Sequence, residues 1–251
     1  MTYPLVLTLA RTETRLLTRE WAMMVFAFLF PPLTMLIIAG SFGDQPDEAF
    51  GSVLPDDFYV TGYFAIPIAA VGLIGLPVAL ASYRERDVLR RLQAFGVTTP
   101  TVVGAQMVVS LLLTALAGLL VVGAAAPTYG VPPVARPLET GIGFAAGAVT
   151  MLMLGAAIGL VVRTARGAQA IGLLLFFPMF LLSGGGPPPS VLGAGMRRLA
   201  DVLPMTHAVG AIRDPWLDDG SSTPHLAALA AWCAVAAVAA VWAARRSSRD
   251  R

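Results

Sequence analysis

The chain of 251 residues contains no lysine, one cysteine and two histidines, and only 13% of its residues are charged. Ordinary soluble domains carry about 25% charged residues. A P-loop needs a lysine to reach the nucleotide phosphates, so this chain cannot build one. The single cysteine, Cys233, excludes an intramolecular disulfide. The 17 arginines are divided among short segments rather than gathered in one patch, and we therefore expect no nucleic-acid partner.

Charge is also absent from six stretches that are each long enough to cross a bilayer. A helix needs about 20 apolar residues to cross the roughly 30 Å hydrocarbon core, where ionised side chains are strongly disfavoured. The composition agrees, because 57% of the residues are apolar. We therefore predict an all-α integral membrane protein in contact with the lipid bilayer. Its six predicted transmembrane spans are residues 21–39, 58–81, 101–126, 141–162, 167–183 and 225–244.

Arginine is distributed unequally among the segments that join these spans. Thirteen of the 17 arginines fall in residues 1–20, 82–100, 163–166 and 245–251, and four fall in the segments of the opposite side. Cytoplasmic segments of membrane proteins retain positive charge. We therefore predict that both termini are cytoplasmic and that the acidic segment 40–57 lies on the outer side.

The whole chain, residues 1–251, reads as one domain. Besides the spans it has three parts, residues 1–20, 82–100 and 184–224. Residues 1–20 place leucines and arginines on adjacent stripes of a helix, which favours an amphipathic helix at the cytoplasmic interface over a solvated leader. Residues 184–224 are apolar with intermittent charges. This pattern predicts two short re-entrant helices that dip into the outer leaflet without crossing it.

Glycines and prolines occur at several positions within the spans. Span four carries two pairs of glycines at a spacing of four, Gly143 with Gly147 and Gly155 with Gly159. Small residues let helix backbones approach closely. The pairs predict either packing within the chain or an interface between two copies, and the sequence leaves both open. Prolines within spans one, two and five predict kinks.

Residues 82–100 predict a short amphipathic helix on the cytoplasmic side. Ser82 with Glu85 matches the capping box that starts a helix, and Gly96 followed by Pro100 matches a stop. The segment either fixes the topology alone or binds a cytoplasmic partner, and both remain open at this point. Its predicted apolar face carries Val88, Leu92 and Phe95, and its predicted charged face carries Arg84, Arg86, Asp87, Arg90 and Arg91.

Side chains that could carry out chemistry are few. His207 and His225, with Asp201 or Asp214, could form an acid–base or metal set, but their spacing matches no zinc pattern. A membrane-embedded enzyme is therefore the weaker alternative function. A proton- or ion-coupled secondary transporter is the other alternative, and such proteins generally carry ionisable groups within their spans, which these windows lack. We expect no catalytic, metal or cofactor site in this chain.

Three motifs, in order along the six spans, resemble the membrane subunit of ABC exporters of the type 2 permease family, which includes drug-resistance and polysaccharide-export permeases. The stretch Tyr83 to Leu92 is similar to the family's acidic–basic stretch ending in Leu-Arg-Arg-Leu. The Gly-Thr step that commonly follows the family's second acid is missing. Leu182-Ser183-Gly184 is similar to the Ser-Gly that ends span five, and Leu203-Pro204-Met205-Thr206-His207, followed by Arg213, is similar to the Leu-Pro-x-Thr-Tyr/His…Arg element before the last span.

The resemblance implies half of a transport path, with a second permease copy or a paralogous permease as the other half. It also implies a separate ABC ATPase subunit that binds ATP and Mg²⁺, and a coupling helix that seats on that subunit. The coupling residues would be Glu85, Arg86, Asp87, Val88, Leu89, Arg90, Arg91 and Leu92. The outer signature element would comprise Leu203, Pro204, Thr206, His207 and Arg213.

The resemblance implies export out of the cytoplasm, and the uncharged spans favour an apolar or amphipathic substrate, drug-like or lipid-like. The candidate path residues are Met35, Phe64, Phe176, Phe177 and Met179, although lipid-facing packing explains each of them as well. The alanine-rich, lysine-free composition is typical of a GC-rich bacterial source, so we expect the protein in a bacterial plasma (inner) membrane.

The topology can be tested with two reporter fusions. A reporter that is active only outside the cytoplasm should be active when it is fused after Gln45 and inactive when it is fused after Gly96, because arginine holds the second segment inside. Enzyme activity in intact cells measures both. The reverse pattern would overturn the predicted orientation.

Overall fold

The computed structural model describes residues 21–42, 45, 47–51 and 53–249, and this part of the chain is helical without strands. The amphipathic helix predicted at residues 1–20 lies outside the described residues. Short 3₁₀ turns occur at Glu48–Phe50 and Pro189–Val191. The described helices are α1 (Trp21–Phe42), α2 (Pro55–Ala70, continued through Val71–Gly75 and Leu76–Glu85), α3 (Val88–Ala94), α4 (Thr99–Ala125), α5 (Pro137–Val161), α6 (Ala165–Phe180, continued through Leu181–Gly185), α7 (Ala194–Ala200), α8 (Pro204–Leu217) and α9 (Thr223–Arg249).

For the described residues, the prediction of an all-α protein is confirmed, and so is the number of candidate spans. Within the described residues, six helices are long and apolar enough to cross a membrane: α1, α2, α4, α5, α6 and α9. The second of these is longer than the charge-free window, because Pro55 occupies the first turn and Asp56 and Asp57 follow it. Proline suits the first helical position, and carboxylates favour the positive end of the helix dipole.

Helix α2 lies at the centre of the bundle. Its most apolar stretch is 94% buried, whereas the corresponding stretch of α9 is 17% buried. Helices α1, α4, α5, α6 and α8 all pack against α2, and α9 packs on one side against α5 and α8. A burial of this extent means that α2 contacts protein along its whole length. A shift of α2 would therefore displace most of the other helices.

The glycine pairs of α5 pack against helices of the same chain. A Cβ at Gly147 would lie 2.9 Å from Ala208 Cβ on α8, and a Cβ at Gly159 would lie 2.8 Å from Leu80 Cβ on α2. Gly143 faces the backbone of Ala211 on α8 in the same way. Of the two interpretations of these pairs, the structure shows packing within the chain, and the absent side chains let α5 approach α2 and α8.

Prolines accompany wider turns in three of the spans. The π-helical turn Val25–Leu29 precedes Pro31 and Pro32, and the π-helical turn Val71–Gly75 lies between Pro67 and Pro77. Proline lacks the N–H that would close an α-helical hydrogen bond, so the helix adjusts locally to satisfy the freed carbonyl groups. The third π turn, Leu181–Gly185, follows Pro178.

The end of α6 is held by α2. The Tyr59 hydroxyl donates to the Gly186 carbonyl oxygen at 2.9 Å, and the Tyr63 hydroxyl donates to that of Gly185. Gly184 has a φ of 92°, a conformation that favours glycine, and it lies in the Leu-Ser-Gly motif. The chain therefore turns sharply here before it enters α7 and α8.

Contact between α5 and α2 can be tested with Gly155, whose missing side chain leaves room for the Gly72 carbonyl oxygen and for Pro77 Cδ at 3.2 Å. We predict that Gly155→Ala destabilises the protein by about 1–3 kcal/mol, the usual effect of overpacking. Thermal unfolding of the purified protein in detergent measures this.

Gly104 supplies a matched control, because it lies in α4 and a Cβ added there would meet no atom within 4 Å. We expect Gly104→Ala to leave the melting temperature unchanged or to raise it, since alanine favours helices more than glycine does. Equal melting temperatures for the two variants would contradict the packing described above.

Candidate functional site

The connection between α2 and α4 is a sharp corner. Helix α2 continues through Ser82 to Glu85, and α3 begins at Val88. The break falls at Asp87, whose φ is 54°. The predicted capping box is therefore wrong: Ser82 lies inside α2, and its hydroxyl donates to the Ala79 carbonyl oxygen at 2.8 Å.

Two charged side chains at the end of α2 bind the turn between α5 and α6. The Arg84 guanidinium donates to the carbonyl oxygens of Leu160 and Val162, at the end of α5. The Glu85 carboxylate accepts from the Ala165 amide at 2.9 Å, at the start of α6. A cation at a helix C-terminus and an anion at a helix N-terminus both complement the helix dipole. We call this pair of contacts the α2 clamp.

The clamp gives two residues a position that the sequence did not suggest. Arg84 was expected on the exposed charged face of a helix, and it is instead half-buried against α5. Glu85 was expected among the residues that contact a partner, and its carboxylate contacts the α5–α6 turn of its own chain. The sequence carried only a weak signal for this, namely adjacent opposite charges at the end of a charge-free window.

Helix α3 packs back onto the bundle through Leu89. This side chain is buried with Tyr83 of α2 and Val102 of α4, and partly buried Val88 and Leu92 join the same cluster. Phe95 was predicted on this apolar face, but it is 85% exposed. The helix ends at Ala94, so its period no longer carries Phe95 to the buried side.

Gly96 ends α3 as predicted. Its φ is 81°, its amide donates to the Gln93 carbonyl oxygen at 2.9 Å, and the Val97 amide donates to that of Leu92 at 3.0 Å. These two bonds are the Schellman motif, which requires a left-handed residue after the helix. Helix α4 then starts at Thr99 with Pro100 in its first turn.

The outward side of this corner combines positive charge with one aromatic ring. Arg86, Asp87, Arg90, Arg91 and Phe95 are all exposed, and we call them the α3 surface. Arginine and aromatic side chains are the types that most often dominate protein–protein interfaces. Of the predicted coupling residues, Leu89 is buried and Val88 and Leu92 are half-buried, so they support α3 rather than face outward.

The outer signature element starts α8 at the opposite end of the bundle. Leu203 precedes the helix, and Pro204 occupies its first turn. The Thr206 hydroxyl is buried and has no hydrogen-bond partner among the described residues. Arg213 is four-fifths buried, with its guanidinium carbon 4.4 Å from the centre of the Phe58 ring and its Nε 3.6 Å from Asp214 Oδ1. Burial lowers the pKa of Arg213, and the charges of Asp214 and Asp219 oppose that shift.

The two histidines meet between α8 and α9. His207 Nδ1 lies 3.2 Å from His225 Nδ1. His207 Nε2 lies 3.0 Å from the Asp201 carbonyl oxygen, and His225 Nε2 lies 2.9 Å from Asp214 Oδ2. In the described part of the chain, no three His, Cys, Asp or Glu side chains come together as a metal site.

The candidate path residues fall into two groups. Phe176 and Phe177 of α6 pack edge-on against Phe26 of α1, with ring centres 5.6 and 5.7 Å away. Met35 and Met179 are buried, and Phe177 is 40% exposed. Phe64 instead packs against Phe144 and Trp216, each at 5.3 Å. The five side chains therefore contribute to bundle packing at two places, one beside α1 and α6 and the other beside α5 and α8.

The α2 clamp can be tested by removing its carboxylate. We predict that Glu85→Ala speeds hydrogen exchange at the first amides of α6, because the Ala165 amide then bonds only to water. It should also lower the melting temperature by about 1–3 °C, as expected for one charge at a helix terminus. Arg91→Ala, on the exposed side of α3, should change neither quantity. Identical exchange in both variants would contradict the clamp.

Comparison with known proteins gives one match. The model of the family described as ABC-2 type transporter matches residues 4–215, which include the α2 clamp, α3 and most of α8. The search of curated proteins found no match. A match over this share of the chain shows the family, and the predicted family resemblance is confirmed. The chain belongs to the ABC-2 type transporter family as a multi-pass membrane permease.

Proposed function

We propose that this chain is the permease subunit of an ATP-driven exporter, and that the α3 surface binds a separate ATPase subunit. Family membership implies an ABC ATPase partner in general. The observation that supports the docking site most is the α3 surface itself, where exposed arginines flank an 85% exposed phenylalanine. Nothing else in the described part of the chain covers this surface.

The α2 clamp supports a route by which a force on α3 is transmitted to α5 and α6. A partner that pushes α3 acts on α2 through the short corner at Arg86 and Asp87. Through Arg84 and Glu85, the same push acts on the ends of α5 and α6. Because α2 packs against most of the bundle, we infer that closure of the ATPase moves these helices together as a rigid body.

The substrate is proposed to be apolar or amphipathic, drug-like or lipid-like. The windows that cross the membrane lack charged side chains that could neutralise a strongly charged solute. Aromatic side chains of α1 and α6, among them Phe26, Phe30 and Phe176, offer apolar contacts. We propose that a second permease copy, or a paralogous permease, encloses the path, and that α7 and α8 dip into the outer leaflet of a bacterial plasma membrane.

Docking can be tested by exchanging charge within the α3 surface. We predict that at least tenfold less ATPase activity co-purifies with the tagged double variant Arg86→Glu, Asp87→Arg than with the tagged unaltered chain. Reversed charges at an interface repel the partner. Phe95→Ala should weaken the same association. Both variants should remain in the membrane at normal levels, since these side chains are exposed.

Arg198→Glu is the matched control, because Arg198 is also exposed and lies on α7 at the other end of the bundle. It should retain the ATPase activity of the unaltered protein. Full ATPase co-purification with the α3 variants would contradict docking at this surface.

A further inference from the structure

The hydrogen bonds around His207 and His225 cannot all form if both imidazole rings are neutral. The Asp201 carbonyl oxygen can only accept a hydrogen bond, so His207 Nε2 bears hydrogen. The Asp214 carboxylate also accepts, so His225 Nε2 bears hydrogen. Each neutral imidazole has then used its only N–H, and the two Nδ1 atoms would face each other with lone pairs at 3.2 Å.

We propose that His207 and His225 bind one additional proton between their Nδ1 atoms, and that this positively charged pair fastens α8 to α9 at the end of the bundle opposite α3. In this arrangement His225 is the cation. It donates from Nδ1 to His207 and from Nε2 to Asp214, and every ring nitrogen of the pair is hydrogen-bonded.

The surrounding structure holds the rings in this position. Residues 207, 210 and 214 lie on one stripe of α8, and the His225 ring rests on that stripe at Gly210. A Cβ at Gly210 would lie 2.5 Å from His225 Cε1, so glycine is needed for the approach. Trp232 of α9 also donates to the Val202 carbonyl oxygen at 2.9 Å, on the same side of α8.

Neighbouring charges favour one extra proton and oppose a second. Burial lowers the pKa of His207, and the charge of His225 lowers it further. His207 therefore stays neutral while its partner is charged. The charged or titratable groups that face the pair or lie next along its network, from α8, the flanking turns and α5, are Asp201, Arg213, Asp214, Asp218, Asp219, Arg136 and Glu139.

A metal ion between the rings is the competing occupant. Two nitrogens this close suit a tetrahedral ion, and partners on both Nε2 atoms are typical around metal sites. Structural zinc needs four ligands, however, and the described residues supply no third His, Cys, Asp or Glu to this place. The proton completes the hydrogen bonding alone, and so the geometry favours it.

The pair makes stability depend on pH in a stated direction. In the unfolded chain both histidines titrate near about pH 6.5. The shared hydrogen bond exists only in the folded protein and only while the extra proton is bound. This stabilisation is therefore present while the proton is bound and is lost as the pH rises far enough to remove it. At lower pH a second proton, on His207, disrupts the pair and destabilises the folded protein. Burial and the charge of His225 lower the pKa of His207 and so oppose this second protonation.

The first experiment compares the unaltered protein with His207→Gln in thermal unfolding, in buffers that contain a chelator. A glutamine amide can donate to His225 Nδ1 without an added proton. We expect the melting temperature of the unaltered protein to fall by about 2–4 °C between about pH 6.5 and 9, the effect of one hydrogen bond. That of the variant should fall less, because His225 keeps its contact with Asp214 but no longer shares a proton with a second imidazole. The variant keeps Cys233 and the terminal amine, so it controls for their titration. A pH step of undiminished size in His207→Gln would overturn the proposal.

The second experiment needs no substitution, so it is decisive even where the variant fails to fold. The chain has two histidines, and ¹⁵N-histidine labelling therefore gives two ring systems in an NMR spectrum. At about pH 6.5 we expect one ring protonated on both nitrogens and the other protonated on Nε2 alone, with a single proton lost on raising the pH. Two neutral rings at that pH would overturn the proposal. A separate melting measurement with zinc chloride at about pH 8 tests the metal: a rise in the unaltered protein that is absent in His207→Gln would assign the site to a metal and would also overturn the proposal.

Discussion

The exclusion of charge from the hydrocarbon core determines where this protein can make strong electrostatic contacts. An ionised group cannot be stabilised in the bilayer without a partner, so the charged side chains stand at the helix ends. There they find partners of a particular kind. Arg84 and Glu85 bind the backbone at the ends of α5 and α6, while Arg213 and Asp214 lie together on α8. The spans are held together by close packing of uncharged residues, and their ends are held together by contacts of charged side chains.

Helix α2 connects the two ends. At the corner before α3 the α2 clamp ties it to the α5–α6 turn, and at the opposite end Tyr59 and Tyr63 bind the backbone that ends α6. Between these points α2 is almost completely buried, and glycines of α5 and α6 let their backbones lie directly against it. A displacement applied at α3 therefore reaches the far side of the bundle through packed contacts rather than through a flexible linker.

The spans could be predicted because charge in a bilayer is forbidden by solvation alone, whatever the tertiary structure. Gly96 could be predicted because a left-handed helix end needs glycine. The misses have a common origin in tertiary contacts. Phe95 was assigned by helical period, but the helix ends before it, and Ser82 matched a cap inside a helix that had not ended. The contact of His207 with His225 depends on how α8 meets α9, which no local pattern encodes.

We propose above all that this chain has no energy source of its own and receives its motion through α3. The most direct test places spin labels on α3 and α7, with Arg91→Cys and Arg198→Cys in a Cys233→Ala background, and measures their separation in lipid vesicles. We predict that ATP and Mg²⁺ change the distance distribution only when the ATPase subunit is present. A change produced in the chain alone, by ATP or by a proton gradient, would contradict the account.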